Sequence, residues 1–469
     1  MSVRSILRNI IWLSFAQIIG YIFLFLYGVY AAKYLGAEGF GILSFAIAFG
    51  SIASIFIDFG FGTLSVREIA RTKEEAQKYV SNILMLKIFL TFLITSCIFV
   101  SFSALRYPHL LVLLLVSTGI FLNNISFTFF NVFQAYEDLK YQAIGRILSS
   151  FILFLTVPLS IHFGFGLLGF AILYFSAQFI VFLYALGVSI WKFVKPKLEF
   201  NIHFIRTMLK EAWPFGIAGV LASICFWTDS VMLAFFQGNV AVGLYNAAYR
   251  IIMVLLVLPG IFNTVLFPVM SRLYQHTNHK IAIQYFLKGM LLLGLPIGVG
   301  ITVLANKIML FLFGTEYLPA ATALKLLVWS GTFIFLNQAY STFFGSKNAQ
   351  IIIAKIIGTG AIINVVLNLF LIPKYSYVGA SITTIATEVL IFVMYAVIAE
   401  QHGYGLTKKE MVWAAKTTFA AFIMGLFLYF FINQNLLFLV LCSIIIYFGL
   451  LLLIKGIDKM DLALLKKVF

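Results

Sequence analysis

The sequence predicts an all-α integral membrane protein of fourteen transmembrane helices: two six-helix lobes in a parallel repeat, then two C-terminal helices. Three observations carry this prediction. Of 469 residues, 62% are hydrophobic and only 10% charged, against about 25% charged in a soluble domain, too few to face water all round. The apolar residues fall in long runs parted by short charged segments. The Lys and Arg residues collect in alternate segments.

A helix needs roughly 20 apolar residues to cross about 30 Å of hydrocarbon. Six such spans form the first lobe, at 10–32, 40–62, 81–104, 109–133, 144–163 and 167–192. Six more follow at 213–236, 243–270, 284–305, 321–344, 352–373 and 378–399, and a last pair at 412–432 and 436–454. Arg4 and Arg8 precede the first run with no small-residue cleavage site, so it is expected to be an uncleaved span. With the N-terminus inside, the cytoplasmic segments and the span ends that adjoin them hold 25 Lys and Arg. External segments hold 4, namely Lys33, Arg106, Lys307 and Lys374. That bias predicts cytoplasmic N- and C-termini. Strand-like alternation between turns is missing, which argues against a β-barrel.

The divisions expected are a first lobe at 1–198, an amphipathic cytoplasmic linker at 199–212, a second lobe at 213–405, and the last two helices with a cytoplasmic tail at 406–469. In the linker Phe200, Phe204, Ile205, Met208 and Leu209 share one helical face, and the tail 457–469 has a similar stripe. Both patterns suit a helix lying at the membrane surface or an ordinary helical connector.

Composition also excludes several classes. The net charge of +16 is spread through loops and never gathers into a basic domain, so nucleic acid is not an expected partner. Cys97, Cys225 and Cys442 each lie inside an apolar run, and His276 and His279 have no carboxylate or thiol companions, so neither disulfide nor metal site is expected. A phosphate-cradling GxxxxGKS/T loop does not occur, which argues against direct use of ATP. No cofactor is expected beyond possible coupling to H+ or Na+.

The chain is duplicated. Gly36 and Gly41, in the segment that joins spans one and two, answer Gly238 and Gly243 in the segment that joins spans seven and eight. Arg71 answers Arg272, Arg146 answers Lys355, and Gly169 answers Gly379, at offsets of about 202 to 210 residues. Six spans per copy is even, so both copies enter from the same side, and transporters built on such repeats bind substrate between their halves.

Charges within spans are costly and usually functional. Asp58 and Lys87 lie at similar depth in spans two and three, as do Asp229 and Arg250 in spans seven and eight, which suggests two ion pairs. Each pair serves either as glue between helices or as the lining of a polar cavity. Lys325 lies near the outer end of span ten. Glu388, mid-span and without an obvious partner, is the first candidate for a proton- or cation-binding group. Uncharged polar pairs stand in spans four and ten, Asn123 with Asn124 and Asn337 with Gln338, with Gln17, Asn364 and Asn368 elsewhere. Such side chains face the bundle interior, bonding substrate hydroxyls or each other. Pro259-Gly260 in span eight and Gly294 to Gly298 around Pro296 in span nine predict breaks or kinks, suited to hinges or to static packing.

These residues resemble a known family. Tyr34-Leu35-Gly36-Ala37-Glu38-Gly39-Phe40-Gly41, then Asp58-Phe59-Gly60-Phe61-Gly62 and Arg67-Glu68-Ile69-Ala70-Arg71, open the pattern. Phe226-Trp227-Thr228-Asp229, Gly243-Leu244-Tyr245-Asn246-Ala247-Ala248-Tyr249-Arg250, Leu266-Phe267-Pro268 and the run from Asn364 to Pro373 continue it. In this order, in a chain of fourteen spans, they resemble the polysaccharide-transporter branch of the MOP (multidrug/oligosaccharidyl-lipid/polysaccharide) exporter superfamily, the Wzx-type flippases. The resemblance implies two six-helix lobes about a cavity lined by cations, and translocation of a polyprenyl-diphosphate-linked oligosaccharide by alternating access in the cytoplasmic (inner) membrane. It implies a phosphate contact at Arg250, with Lys87, Lys325, Arg146 and Lys355 as further contacts, and sugar contacts at the polar pairs. The uncharged last two spans would meet the polyprenyl tail, as in lipid II flippases. Partners implied are the lipid-linked substrate, membrane lipids and the polysaccharide polymerase machinery. A MATE-type cation-coupled multidrug antiporter is the alternative. A membrane glycosyltransferase would need catalytic groups on external loops, and those here are short and nearly uncharged.

Overall fold

The computed structural model describes residues 3–273, 278–405 and 407–457. Among them every regular element is helical. Among the described residues twelve helices are long and apolar enough to cross a membrane, and the chain is a multi-pass membrane protein. It falls into two compact units, Met1–Asn246 and Ala247–Phe469.

The first unit opens with α1, Val3–Asp58. Its backbone leaves helical geometry at Gly36 (φ 68°, ψ 178°), a region essentially confined to glycine. The break lies in the loop predicted between spans one and two. The helix ends at Asp58 because Phe59 and Gly60 both take positive φ. The short amphipathic α2, Phe61–Arg71, follows, so span two stops four residues sooner than its hydropathy predicts. α2 buries Phe61 and Leu64 against Ile205, Met208 and Ala212 and turns Arg67 and Arg71 outward. Next come α3 (Ala76–Ala104), α4 (Leu110–Ala135), α5 (Leu139–Phe163) and α6 (Leu167–Val188). α7 is one helix from Ile202 to Gln237, N-capped by Asn201, whose Oδ1 accepts from the Phe204 N–H at 3.0 Å. The amphipathic stretch expected at 199–212 is thus, from Ile202 on, continuous with the span that follows.

The repeated glycines meet inside this unit. α8 starts at Asn239 and runs to Leu255. A Cβ at Gly41 would stand 1.8 Å from the Asn239 carbonyl oxygen, and one at Gly243 would stand 2.0 Å from the Ala37 carbonyl oxygen. The two contacts exchange under the 202-residue offset of the repeat. Backbone meets backbone here with no room for a methyl group.

The second unit continues α8 and then breaks before α9, Val257–Leu273. Pro259 lacks the N–H that would bond four residues back, to Leu255, where α8 ends. The predicted break in span eight is therefore present. α10, Asn278–Phe313, contains Pro296 without a break. α11 (Ala320–Ser346) and α12 (Gln350–Gln401) follow, α12 leaving helical geometry at Ser376 (φ 53°, ψ −137°). α13, Lys408–Phe430, starts at a capping box of Thr407 and Glu410, and α14 is Leu436–Leu453. This last pair packs on α10 through Leu304, Ala421, Met424, Leu428 and Tyr447. The tail from residue 458 and His276 lie outside the described residues.

Candidate functional site

The predicted partners Asp58 and Lys87 meet. Lys87 Nζ on α3 donates to Asp58 Oδ1 at 2.6 Å, to Asn124 Oδ1 at 2.9 Å and to the Asn124 carbonyl at 3.2 Å. Three acceptors match its three N–H bonds, and its side chain is 0% exposed, against 31% for Asp58. Lys87 therefore has no N–H left for a phosphate, which argues against the direct contact expected of it. Asn124 also donates to the Ser54 carbonyl at 3.1 Å, so one network ties α1, α3 and α4. The positive-φ turn at Gly60 brings Gly62 N–H within 3.3 Å of Asp58 Oδ2. Asn123, one residue from Asn124, turns to another neighbour and donates to Gln178 on α6 at 2.8 Å.

Beside this network lies a cavity of about 410 Å³, within the range of small-ligand sites. Asp58, Asn124 and Asn131 line it with Thr63 and Ser223, and Phe127 and Phe215 supply aromatic surface. Its wall is tight at one place. Gly60 and Gly216 let the turn after α1 lie on α7, where a Cβ at Gly60 would reach 2.6 Å from the Ala212 carbonyl oxygen.

Elsewhere in the first unit, Asp229 is buried and accepts from the Tyr245 hydroxyl at 2.6 Å. Asn246 donates to Ser230 at 3.0 Å. Arg146 on α5 has its Nε buried without a hydrogen-bond partner among the described residues. At the surface Arg67 binds Glu68 and Glu211, each at 2.5 Å. Its pKa is raised chiefly by the bond to Glu68.

In the second unit Glu388 has the partner that sequence did not reveal. Asn337 Nδ2 donates to its Oε2 at 2.8 Å and to its carbonyl at 3.1 Å. Gln338 turns the other way, toward Thr342 at 3.2 Å, and Thr342 bonds Asn263 at 2.6 Å. Asn368 donates to Asn364 at 3.1 Å. Arg250 and Lys325 are half-buried, and Lys355 is exposed. Lys288, near the cytoplasmic end of span nine, is not among the residues that the sequence nominates. It is 2% exposed, with Nζ 4.4 Å from the centre of the Trp413 ring. The available signal was Tyr285 one turn before it, which also faces its ammonium.

A family model described as "Polysaccharide biosynthesis protein" matches residues 6–274. An uncharacterized membrane protein of Methanocaldococcus jannaschii is 28% identical over 288 residues, 58% of this chain and 56% of that protein. A putative O-antigen transporter of Escherichia coli K12 is 24% identical over 398 residues, 82% of this chain and 95% of that protein. A probable flippase of Haloferax volcanii, AglR, is 29% identical over 171 residues, 35% and 36% of the two chains. Among solved structures, lipid II flippase MurJ in an inward closed conformation aligns with a TM-score of 0.79 at 18% identity, covering 97% of this chain and all of that one. An inward-facing MATE family transporter of the MOP superfamily aligns with a TM-score of 0.66 at 18% identity over 84% of this chain and 98% of that one. The fold is the one these transporters share.

Proposed function

We propose that this chain, which belongs to the polysaccharide biosynthesis protein family, is a flippase that carries a polyprenyl-diphosphate-linked oligosaccharide from the inner to the outer leaflet. The observation that carries this reading is the match over residues 6–274 to the family, joined to likeness along 95% of an O-antigen transporter. The extent of fold similarity favours it over a multidrug antiporter. MurJ covers 97% of this chain and the MATE structure 84%.

Fourteen spans fit the geometry. Phe15–Asp58 has 44 residues and Gln350–Gln401 has 52, or about 66 and 78 Å at 1.5 Å per residue. Each is long enough for two crossings of about 30 Å and is broken once, at Gly36 and Ser376. Two crossings in each raise the twelve long apolar helices to fourteen. The 25-to-4 distribution of Lys and Arg supports cytoplasmic termini, and the flippase reading makes the host membrane the inner one. The lobes are the duplicated halves 1–198 and 213–405, joined through 199–212, with 406–469 carrying the helices that meet the polyprenyl chain.

Arg250 contacts the diphosphate, and Arg146, Lys325 and Lys355 are further candidates for that role. The buried Nε of Arg146, without a hydrogen-bond partner among the described residues, supports this, since an orphaned guanidinium N–H in an apolar interior gains most from an anionic oxygen. Glu388 and Asp229 are the groups through which an H+ or Na+ gradient would act, Asp58 being taken up in its ion pair with Lys87, and the polymerase machinery receives the flipped lipid. No bond of the substrate is made or broken.

The test is transfer of a labelled polyprenyl-diphosphate oligosaccharide across proteoliposomes, by wild type and by Arg250→Ala and Arg146→Ala. Protein-dependent transfer that falls at least tenfold in both variants is expected. Efflux of a cationic dye under an ion gradient, without lipid transfer, would move the protein to the multidrug branch.

A further inference from the structure

The asparagines that sequence nominates for the sugar in the first unit are already engaged. Asn123 bonds Gln178, and Asn124 bonds Lys87 and the Ser54 carbonyl. The adjoining cavity of about 410 Å³ has different residues to offer. Asn131, Thr63 and Ser223 line it, and no hydrogen bond among the described residues engages their side chains. Asp58 lines it too, 31% exposed, and its Oδ2 takes a long contact of 3.3 Å from the Gly62 N–H. A carboxylate oxygen accepts more than one bond, so Oδ2 has capacity left.

Charge decides what such a cavity binds. Asp58 is its one charged lining residue, and it is neutralised at 2.6 Å by Lys87, which is fully enclosed and whose N–H bonds are all spent. The lining therefore carries no net charge and presents no ammonium to a phosphate. A bare cation at Asp58 would have to compete with the Lys87 ammonium already there. An uncharged ligand rich in hydroxyls meets neither obstacle. Its O–H groups donate to Asp58 Oδ2 and to Asn131 Oδ1, and its oxygens accept from Asn131 Nδ2, Thr63 and Ser223. Phe127 and Phe215, both with exposed rings on this wall, offer apolar faces to the C–H faces of a pyranose.

We propose that the cavity between the Asp58 turn, α4 and α7 is the subsite for the uncharged sugar of the transported lipid, separate from the cationic residues that hold its diphosphate. The proposal rests on the flippase reading for the identity of the sugar's carrier, and on the cavity's own chemistry for the sugar. Asn131, Thr63 and Ser223 set which hydroxyl pattern fits, and the Asp58–Lys87 pair supplies a strong acceptor without net charge.

The experiment measures affinities of the full-length protein in detergent for two probes, a polyprenyl diphosphate carrying a neutral hexose disaccharide and the bare polyprenyl diphosphate. The wild type is expected to bind the first more tightly. The ratio of the two affinities is expected to fall about two- to tenfold in Asn131→Leu and in Ser223→Ala, the range for loss of one hydrogen bond. Ser223→Ala removes one oxygen from a half-buried position and keeps a folded reference should Asn131→Leu fail to fold. Equal affinity of wild type for both probes would overturn the proposal, as would a ratio that neither variant moves. Transfer in proteoliposomes is scored separately. A sugar-dependent ratio without transfer would remove the flippase and keep the subsite, and transfer without a sugar-dependent ratio would do the reverse.

Discussion

Tyr447 on α14 donates its hydroxyl to the Leu292 carbonyl on α10 at 2.9 Å. Leu292 lies four residues before Pro296, so its carbonyl is the one that the missing proline N–H leaves without a helical partner. Inside a bilayer an unsatisfied carbonyl has no water to turn to. Pro296 thus sits in α10 without breaking it because a helix from the C-terminal pair supplies the donor. Tyr447→Phe keeps the ring and removes the bond, and is expected to cost about 1 kcal/mol. Thermal unfolding in detergent reads this directly, and an unchanged melting temperature would refute it.

Removing one member of the Asp58–Lys87 pair is expected to be worse than removing both. Asp58→Asn leaves Lys87, fully enclosed, with only Asn124 and a neutral amide. Breaking such a pair typically costs about 3–5 kcal/mol, while apolar replacement of both partners is often neutral. Asp58→Asn/Lys87→Met is therefore expected to melt above Asp58→Asn alone. The reverse order would show that Lys87 does not depend on Asp58.

The glycine seam makes a prediction about coupling. Gly41→Ala and Gly243→Ala each drive a methyl group into a backbone carbonyl that cannot turn aside, and each is expected to cost about 1–3 kcal/mol. Both strains are relieved by the same parting of the two loops, so the double variant should cost less than the sum. Strict additivity in unfolding experiments would mean that the contacts are independent.

Glu388 allows stability and coupling to be separated. Glu388→Gln keeps an acceptor for Asn337 and is expected to change stability by less than about 1 kcal/mol. If Glu388 carries the coupling ion, stimulation of lipid transfer by a Na+ or H+ gradient should vanish in that variant. Stimulation that persists would leave Glu388 as a hydrogen-bond partner of α11.

The exposed cluster around Arg67 serves as the contrast. Arg67 and Glu211 are 37% and 48% exposed at the side chain, and exposed pairs contribute about 0–1 kcal/mol. Arg67→Gln is expected to leave the melting temperature within a few degrees of wild type. A larger fall would show that the link from α2 to α7 carries more load than its exposure implies.

The sequence by itself determined that this chain lives in a membrane, where its long apolar runs lie, and that Asp58 and Lys87 share a depth. Each follows from sums over one dimension: hydropathy over about 20 residues, and rise along a helix axis. It also placed the glycines of the two repeat loops, although not the fact that they meet. The tertiary structure decided which polar groups are spent and which are free. Asn123 and Asn124 are adjacent, yet residues one apart on a helix point about 100° apart, so one turns to α6 and the other to α1 and α3. Tyr447 finds its acceptor 155 residues away, and Asn337 finds Glu388 at a separation of 51. Such pairings depend on how each helix is rotated about its axis and slid against its neighbours. Hydropathy does not encode that choice, because every rotation of an apolar helix has nearly the same sum, and only packing distinguishes one from the next.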